Sequence, residues 1–317
     1  MMAVHRRHVL ATGLSRPLAL PPTRRSRAGE TMTLRIGFQK GEPVLMTAKA
    51  NKALETLLGP KGIAVEWIEF QFGPPMLEAM RVGSVDLGAV GDAPPVFAQA
   101  AHGDLLYIAA NRGAPQSLLL PPGSTIQTLS DLKGKKIAFG RGSAAQNFTL
   151  LILEKAGLRY DDIQPIYLGP ADAGPAFSRG AIDAWSIWEP YASLFNTRDG
   201  VRTLTTNREI GEQFSFIMAY GPFVRADPAL IARVVDAFTA TAEHARGQHD
   251  DVARLLADAT GIQQGVWSRA LKSDPFQVVR MTDDLTRSQQ GVADRFRSLG
   301  LVPVDIKVSD IVWRSTV

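Results

Sequence analysis

The sequence predicts two related α/β lobes, and three observations carry that expectation. The stretch Gly83-Ser84-Val85-Asp86-Leu87-Gly88-Ala89-Val90-Gly91-Asp92-Ala93-Pro94 is answered by Gly180-Ala181-Ile182-Asp183-Ala184-Trp185-Ser186-Ile187-Trp188-Glu189-Pro190-Tyr191. Each copy follows a helical pattern that stops at Gly, passes an Asp, runs through an apolar strand and ends in a carboxylate. Asp92 and Glu189 therefore fall at equivalent strand ends. A second echo pairs Ile36-Gly37-Phe38-Gln39-Lys40-Gly41 with Ile137-Ala138-Phe139-Gly140-Arg141-Gly142. Third, a chain of 317 residues, 45% hydrophobic, is more comfortable as two lobes than as one.

Taken in order, Leu34 to Phe38 reads as a buried strand and Val44 to Leu58 as the helix crossing back, stopped by Gly59-Pro60. Ala64 to Phe70 alternates as a strand, and Gly73-Pro74-Pro75 opens a helix from Met76 to Val82, since a first-turn Pro lacks only an N–H that would be unpaired anyway. Strand 87 to 90, helix 94 to 102 and strand 105 to 110 follow. Ser117 to Leu120 is read as a strand crossing into the second lobe. There, strand 136 to 139, helix 144 to 156, strand 164 to 168, helix 171 to 179, strand 184 to 188 and helix 190 to 195 repeat the alternation, which implies parallel sheets. Phe214 to Tyr220 is read as the return crossing that closes the second lobe. Beyond Pro222 the pattern is helical over 228 to 246, 251 to 259, 263 to 271 and 282 to 299, with a terminal turn at 310 to 314. No strand is expected in this part, which should brace the first lobe. The expected division is 1–31 as leader or extension, 32–116 with 222–317 as lobe 1, and 117–221 as lobe 2.

Charge and composition narrow the function. The net charge is +4, but residues 1 to 31 hold six Arg and one Glu, so the remainder carries −1. A nearly neutral body lacks the dense basic face that nucleic-acid binding needs. No apolar run reaches the ~18 residues of a membrane-spanning helix, so a soluble protein is expected. Without Cys and with five scattered His, the usual zinc, thiol and disulfide patterns are missing, and neither metal nor cofactor is expected. Arg6-Arg7-His8-Val9-Leu10 suggests a twin-arginine export signal, but Arg16 and Pro17 break the apolar stretch such signals need; a fold beginning at Met32 is the alternative.

In open α/β sheets ligands lie beyond the carboxyl ends of the strands, where helix N-termini converge. With the lobes face to face, Gln39, Asp92, Ser143, Trp188 and Glu189 line one cleft. Asp92 and Ser143 also suit plain helix caps. Asn147, one turn into the helix after Ser143, is a further candidate. Trp185, Trp267 and Trp313 read as packing residues, and Lys40 and Arg141 as flanking charges.

In the order and spacing of its motifs, nearly all of residues 33 to 317 resembles the periplasmic substrate-binding proteins of ABC importers for aliphatic sulfonates, relatives of the taurine, nitrate and thiamine-precursor binders. The motifs are the Ile36-to-Gly41 run, Phe72-Gly73-Pro74 before Leu77-Glu78-Ala79, Gly91-Asp92-Ala93-Pro94-Pro95, Asp131-Leu132-Lys133-Gly134, Leu153-to-Leu158, Trp188-Glu189-Pro190-Tyr191 and Val312-Trp313. Glu189 stands where the family more often has Asp, and Arg141 where it often has Lys. The resemblance implies a type II, Venus-flytrap fold with two crossings, a periplasmic location, a permease as partner, a monomer and no catalysis. It also brings Gly73 and Pro74 into the ligand-binding set.

A sulfonate is a permanent anion with acceptors only, so its site needs donors. Gly142-Ser143-Ala144-Ala145, between a strand and a helix, offers backbone N–H groups, a favourable dipole and the Ser143 hydroxyl. Gln39 would add an amide. Trp188, and more weakly Phe216, would wall the carbon tail. Bare carboxylates at Asp92 and Glu189 would repel a sulfonate unless they cap helices, bridge the lobes or meet an amine on the ligand. An acid–base enzyme is the rival from another class, opposed by the lack of a pocket His, a Cys nucleophile or a Gly-rich dinucleotide fingerprint. Among binders, taurine, nitrate and a thiamine precursor are the alternatives.

Overall fold

The computed structural model describes residues 32–112, 114–272 and 274–314. The proposed leader, residues 1–31, lies outside them. The chain runs β1 (Met32–Phe38), α1 (Pro43–Ala50), α2 (Ala53–Leu58), β2 (Ile63–Glu69), α3 (Gly73–Arg81), β3 (Leu87–Gly91), α4 (Ala93–Ala100) and β4 (Leu105–Arg112). It continues as β5 (Gln116–Leu120), β6 (Lys136–Phe139), α5 (Ala144–Ala156), β7 (Gln164–Tyr167), α6 (Pro170–Ser178), β8 (Ala184–Trp188), α7 (Tyr191–Asn196), β9 (Arg202–Thr206) and α8 (Asn207–Ile210). The last part is β10 (Phe214–Tyr220), α9 (Gly221–Ala226), α10 (Pro228–Ala245), α11 (His249–Thr260), α12 (Gln264–Leu271), β11 (Val278–Arg280) and α13 (Asp283–Ser298).

Two sheets result, ordered β11-β4-β10-β3-β1-β2 and β7-β6-β8-β5-β9. The repeated motifs build the same joint in both. Gly83 and Gly180 adopt φ of 73° and 68°, a left-handed stop that favours Gly, at the end of α3 and α6. Asp86 then accepts from the Arg35 backbone N–H at 2.8 Å, and Asp183 from that of Lys136 at 2.7 Å. Each carboxylate thus ties the start of its sheet's third helix-linked strand to the neighbouring strand.

The sheets are mixed rather than parallel. β10 runs antiparallel between β3 and β4, and β5 antiparallel between β8 and β9. This corrects the reading of Phe214 to Tyr220 as the strand closing the second lobe, because it completes the first sheet. Each sheet's antiparallel strand is therefore delivered by chain coming from the other sheet, β5 after β4 and β10 after β9. Three further expectations change. The helix over 44 to 58 is two helices, broken where Lys52 takes φ 55°. Strand β9 was not expected, although Thr203, Thr205 and Thr206 are β-branched. The C-terminal part does hold a strand, β11, paired with β4 at Val278↔Asn111.

The C-terminal helices cover both faces of the first sheet. On one, Leu230, Val234 and Phe238 of α10 and Trp267 of α12 pack with Leu34, Leu45 and Leu54. On the other, Phe296 of α13 packs with Met76, Met80, Val96, Tyr107 and Phe216. The second sheet has its own core, in which Trp185 meets Phe177 and Phe195 at ring-centroid distances of 5.7 and 4.8 Å. Each such large apolar side chain contributes about 1.5–3 kcal/mol by leaving water, so both halves are well cored.

Candidate functional site

A narrow cavity of about 30 Å3 lies between the two sheets, where Gln39, Gly73, Gly91, Ser143 and Trp188 sit at or just past the carboxyl ends of β1, β2, β3, β6 and β8. Its wall also holds Gly41, Glu42, Pro94, Ala114, Gln116, Ala144, Gln213, Phe214 and Ser215. The starts of four helices converge here. α1, α3 and α4 each carry Pro in the first two positions and so offer dipole with few N–H groups, whereas α5 opens on Ala144 and Ala145. Among the described residues the N–H groups of Ala144 and Ala145 have no acceptor. Donors for an anion are therefore concentrated at one helix.

The halves touch across this cavity. A Cβ built on Gly91 would stand 2.5 Å from Ala144 Cβ, and one on Gly41 would stand 2.6 Å from Trp188 Cδ1. Only a residue without a side chain permits such approach. Trp188, 7% exposed, closes one wall and packs edge-on against Tyr191.

Of the nine residues expected at the site, Gln39, Gly73, Ser143 and Trp188 line the cavity. Their local chemistry differs from expectation in two cases. The Ser143 hydroxyl donates to the Gly140 carbonyl at 2.6 Å, so its proton is already engaged. The Gln39 amide donates to the Ala89 carbonyl at 2.8 Å, leaving its second N–H. Asp92 and Asn147 stand beside the cavity, joined across the two halves by Asn147 Nδ2 donating to Asp92 Oδ2 at 2.7 Å. Asp92 occupies the position before α4, but its side chain does not cap that helix's first turn. Pro74 is half-buried in the first turn of α3 and does not reach the cavity wall. Glu189 turns away from it and accepts from the backbone N–H and hydroxyl of Ser193 at 2.9 and 3.0 Å, bracing α7. Phe216 is 1% exposed and stacks edge-on against Tyr107 inside the first core, so it does not line the cavity; Phe214, two residues nearer the strand end, does.

Sequence reading missed Glu42, Gln116, Gln213, Phe214 and Ser215. Gln116 precedes β5 residue Ser117, and Gln213 precedes β10, so both lie at the junctions between sheets. The polar Gln-Phe-Ser entry into an otherwise apolar strand was the available signal. Glu42 had none, because a single acid before Pro43 reads as an ordinary helix start.

A short chain of amides leads from the buried Asp92 to Gln116. Gln213 Nε2 donates to Asp92 Oδ2 at 3.0 Å, and Gln116 Nε2 donates to Gln213 Oε1 at 2.8 Å. Arg295 donates to Asn147 Oδ1 at 3.2 Å, and Gln289 donates to the Asp92 carbonyl and the Tyr107 hydroxyl. Burial raises Asp92 to about 6 against the lowering effect of its Gln213 and Asn147 bonds. Burial raises Glu42 to about 7, opposed by bonds from Asn111 and Ser215. Glu189 is also pushed up by burial, less so because Ser193 bonds it. At the rim, Lys40 pairs with Glu69 at 3.5 Å and Arg141 lies over the Tyr167 ring, so neither points its charge freely at the cavity. Among the described residues no group of three or more His or acidic side chains is placed to hold a metal ion, and no helix is long and apolar enough to cross a membrane.

Comparison with known proteins agrees with this architecture. Residues 62–264 match the family model described as ABC transporter, phosphonate, periplasmic substrate-binding protein. The chain is 39% identical over 286 residues, 89% of each chain, to the putative aliphatic sulfonates-binding protein of Escherichia coli. The alkanesulfonate-binding protein SsuA from Xanthomonas axonopodis pv. citri, solved bound to MOPS, superposes with TM-score 0.85 at 36% identity, covering 90% of this chain and all of that one. At 17% identity and TM-score 0.63, covering 89% of this chain and 96% of that one, the desulfurization enzyme DSZB shares the fold alone. With two mixed sheets, an interposed cavity and relatives matched along nearly their whole length, the chain belongs to the periplasmic substrate-binding proteins of ABC transporters, in the branch of the aliphatic sulfonate binders.

Proposed function

We propose that this protein captures alkanesulfonates in the cavity between its sheets and hands them to a membrane permease outside the cytoplasm, without chemical conversion. The observation that carries the reading is the start of α5, whose Ala144 and Ala145 N–H groups are unpaired while Ala144 lines the cavity beside Trp188. A sulfonate head at that helix end gains two donors and the positive end of the dipole, and its three oxygens need no proton from the protein. Trp188 and Phe214 supply apolar surface for the carbon arm.

In this reading the sheets are the cores of two lobes, residues 32–112 with 214–314 and residues 116–210, and ligand closes them by motion at residues 114–115 and 211–213. Ser117 and Phe216, in the two stretches read from sequence as crossings, lie within paired strands and so outside the hinges. The site residues we assign are Gln39, Gly73, Ser143, Ala144, Trp188 and Phe214, with Asp92 and Asn147 joining the halves. The close contacts at Gly41 and Gly91 fit a closed form. The location follows the family, with residues 1–31 as the candidate leader.

A thermal-shift and calorimetric screen across alkanesulfonates, sulfate, nitrate and pyrimidines tests the reading. Stabilisation by sulfonates alone is expected. A response to nitrate or pyrimidines with none to any sulfonate would overturn it. Trp188→Ala should weaken long-tailed sulfonates more than short ones.

A further inference from the structure

The cavity that should receive an anion also contains a surplus of acceptors that a simple alkanesulfonate leaves unused. Glu42 lines it, 5% exposed, and the described residues include no Lys, Arg or His within ion-pair distance of its carboxylate. Its neighbours are neutral: Asn111 Nδ2 donates at 3.2 Å, and the Ser215 hydroxyl, also in the wall, stands close enough to favour the charged form. Two buried amide oxygens nearby have no partner at all, Asn111 Oδ1 and Gln116 Oε1, on side chains 5% and 3% exposed.

Each orphan oxygen is fixed by an acid, that of Gln116 by Asp92 through Gln213 and that of Asn111 by Glu42 directly. Asp92 accepts, so Gln213 must offer it N–H groups and present Oε1 to Gln116; Gln116 must then give its NH2 to Gln213, which leaves its own Oε1 bare. Asn111 likewise gives its NH2 to Glu42 and keeps Oδ1 unpaired. A flip of either amide would set oxygen against oxygen. Burying a carboxylate without a cation, and two amide oxygens without donors, is costly, and such groups are retained where a ligand supplies what is missing. Asp274 deepens the negative potential at Glu42 and so favours a cation over a neutral partner.

We propose that Glu42, backed by Gln116 Oε1, receives a protonated amine on the ligand's carbon arm, so that the protein selects aminoalkanesulfonates over plain alkanesulfonates. The proposal rests on the sulfonate reading above and adds to it a second pole: N–H donors at α5 for the anionic head, acceptors at Glu42 for the cationic end. The burial that pushes the Glu42 carboxyl up would be relieved by the ammonium, which places a positive charge beside a group that lacks one.

Calorimetry at pH 8 with matched pairs, ethanesulfonate with its 2-amino derivative and propanesulfonate with its 3-amino derivative, tests this on the full chain. At least one amino member should bind tenfold or more tightly than its plain partner, and in Glu42→Gln that ratio should fall to about threefold or less. Plain and amino members binding equally to the unaltered protein would overturn the proposal while leaving the sulfonate reading intact, and needs no variant to be seen. A ratio unchanged in Glu42→Gln would also overturn it. Failure of every sulfonate to bind would instead remove the reading beneath it.

Discussion

Asn147, from α5, donates its amide to the buried carboxylate of Asp92 at 2.7 Å, and so spans the gap between the two sheets. Arg295 holds the other end of the same amide, accepted by Asn147 Oδ1, and so fixes which end faces Asp92. A polar clasp thus sits behind the ligand cavity.

The clasp predicts that Asn147→Ala weakens ligand binding by tenfold or more. Hydrogen bonds to charged groups are worth about 1.5–3 kcal/mol, and removing Asn147 leaves Asp92 Oδ2 with Gln213 alone. Sulfonate titration by calorimetry checks it, with small-angle scattering expected to show a less compact liganded form. Wild-type affinity in the variant would mean that the contact is incidental to closure.

Gly91→Ala should act on closure more than on folding. The added methyl would lie 2.5 Å from Ala144 on the opposite half, so the halves must stay apart while each core is untouched. We expect a near-normal melting temperature without ligand and a sulfonate affinity reduced at least tenfold.

Ser143→Ala should change sulfonate affinity by less than about threefold, because the hydroxyl already serves the Gly140 carbonyl. Ala144→Pro should be far more damaging. Ser143, with φ −92° and ψ 167°, already has the extended backbone tolerated before Pro, so the helix should still start while one N–H donor is lost. Equal effects of the two changes would argue against an anion at this helix end.

Stability should rise as pH falls from 8 towards 5.5. Glu42 at about 7 and Asp92 at about 6 lie above their ordinary values of 4.5 and 3.8, so the folded protein binds protons more readily than the unfolded chain. That contribution is complete below the ordinary values and lost as pH climbs through 6 to 7. Asp274, at about 6, adds in the same direction. Melting curves of Glu42→Gln should lose part of the slope between pH 5 and 7; an unaltered slope would assign it to other groups.

Much of the frame was legible because it is local. The Gly–Asp repeats at residues 83–86 and 180–183 announce a helix stop and a strand joint, and these recur in both sheets with carboxylate–amide bonds of 2.8 and 2.7 Å. Strands β6, β8 and β10 and helix α5 carry strong apolar patterns and fall where periodicity puts them. What escaped was set by partners distant in sequence. Phe214 and Phe216 are alike in the alternating pattern of β10, and only Tyr107 on the adjacent strand assigns Phe216 to the core. Ser193 similarly decides that Glu189 braces α7, and Gly140 that the Ser143 hydroxyl is occupied. Glu42 matters because of Asn111 and Ser215, which lie 69 and 173 residues away in the chain.

The late return of β10 makes the first half depend on passage through the second for its assembly. During synthesis the first sheet keeps a vacant slot between β3 and β4 until residue 220 has emerged, by which time the whole second sheet has been made. A cut between residues 206 and 214 would leave β10 on a different piece from β3 and β4, whereas every strand of the second sheet lies within residues 116–206. The first half thus completes its sheet late, and until then the facing edges of β3 and β4 stand unpaired and open to other polypeptides.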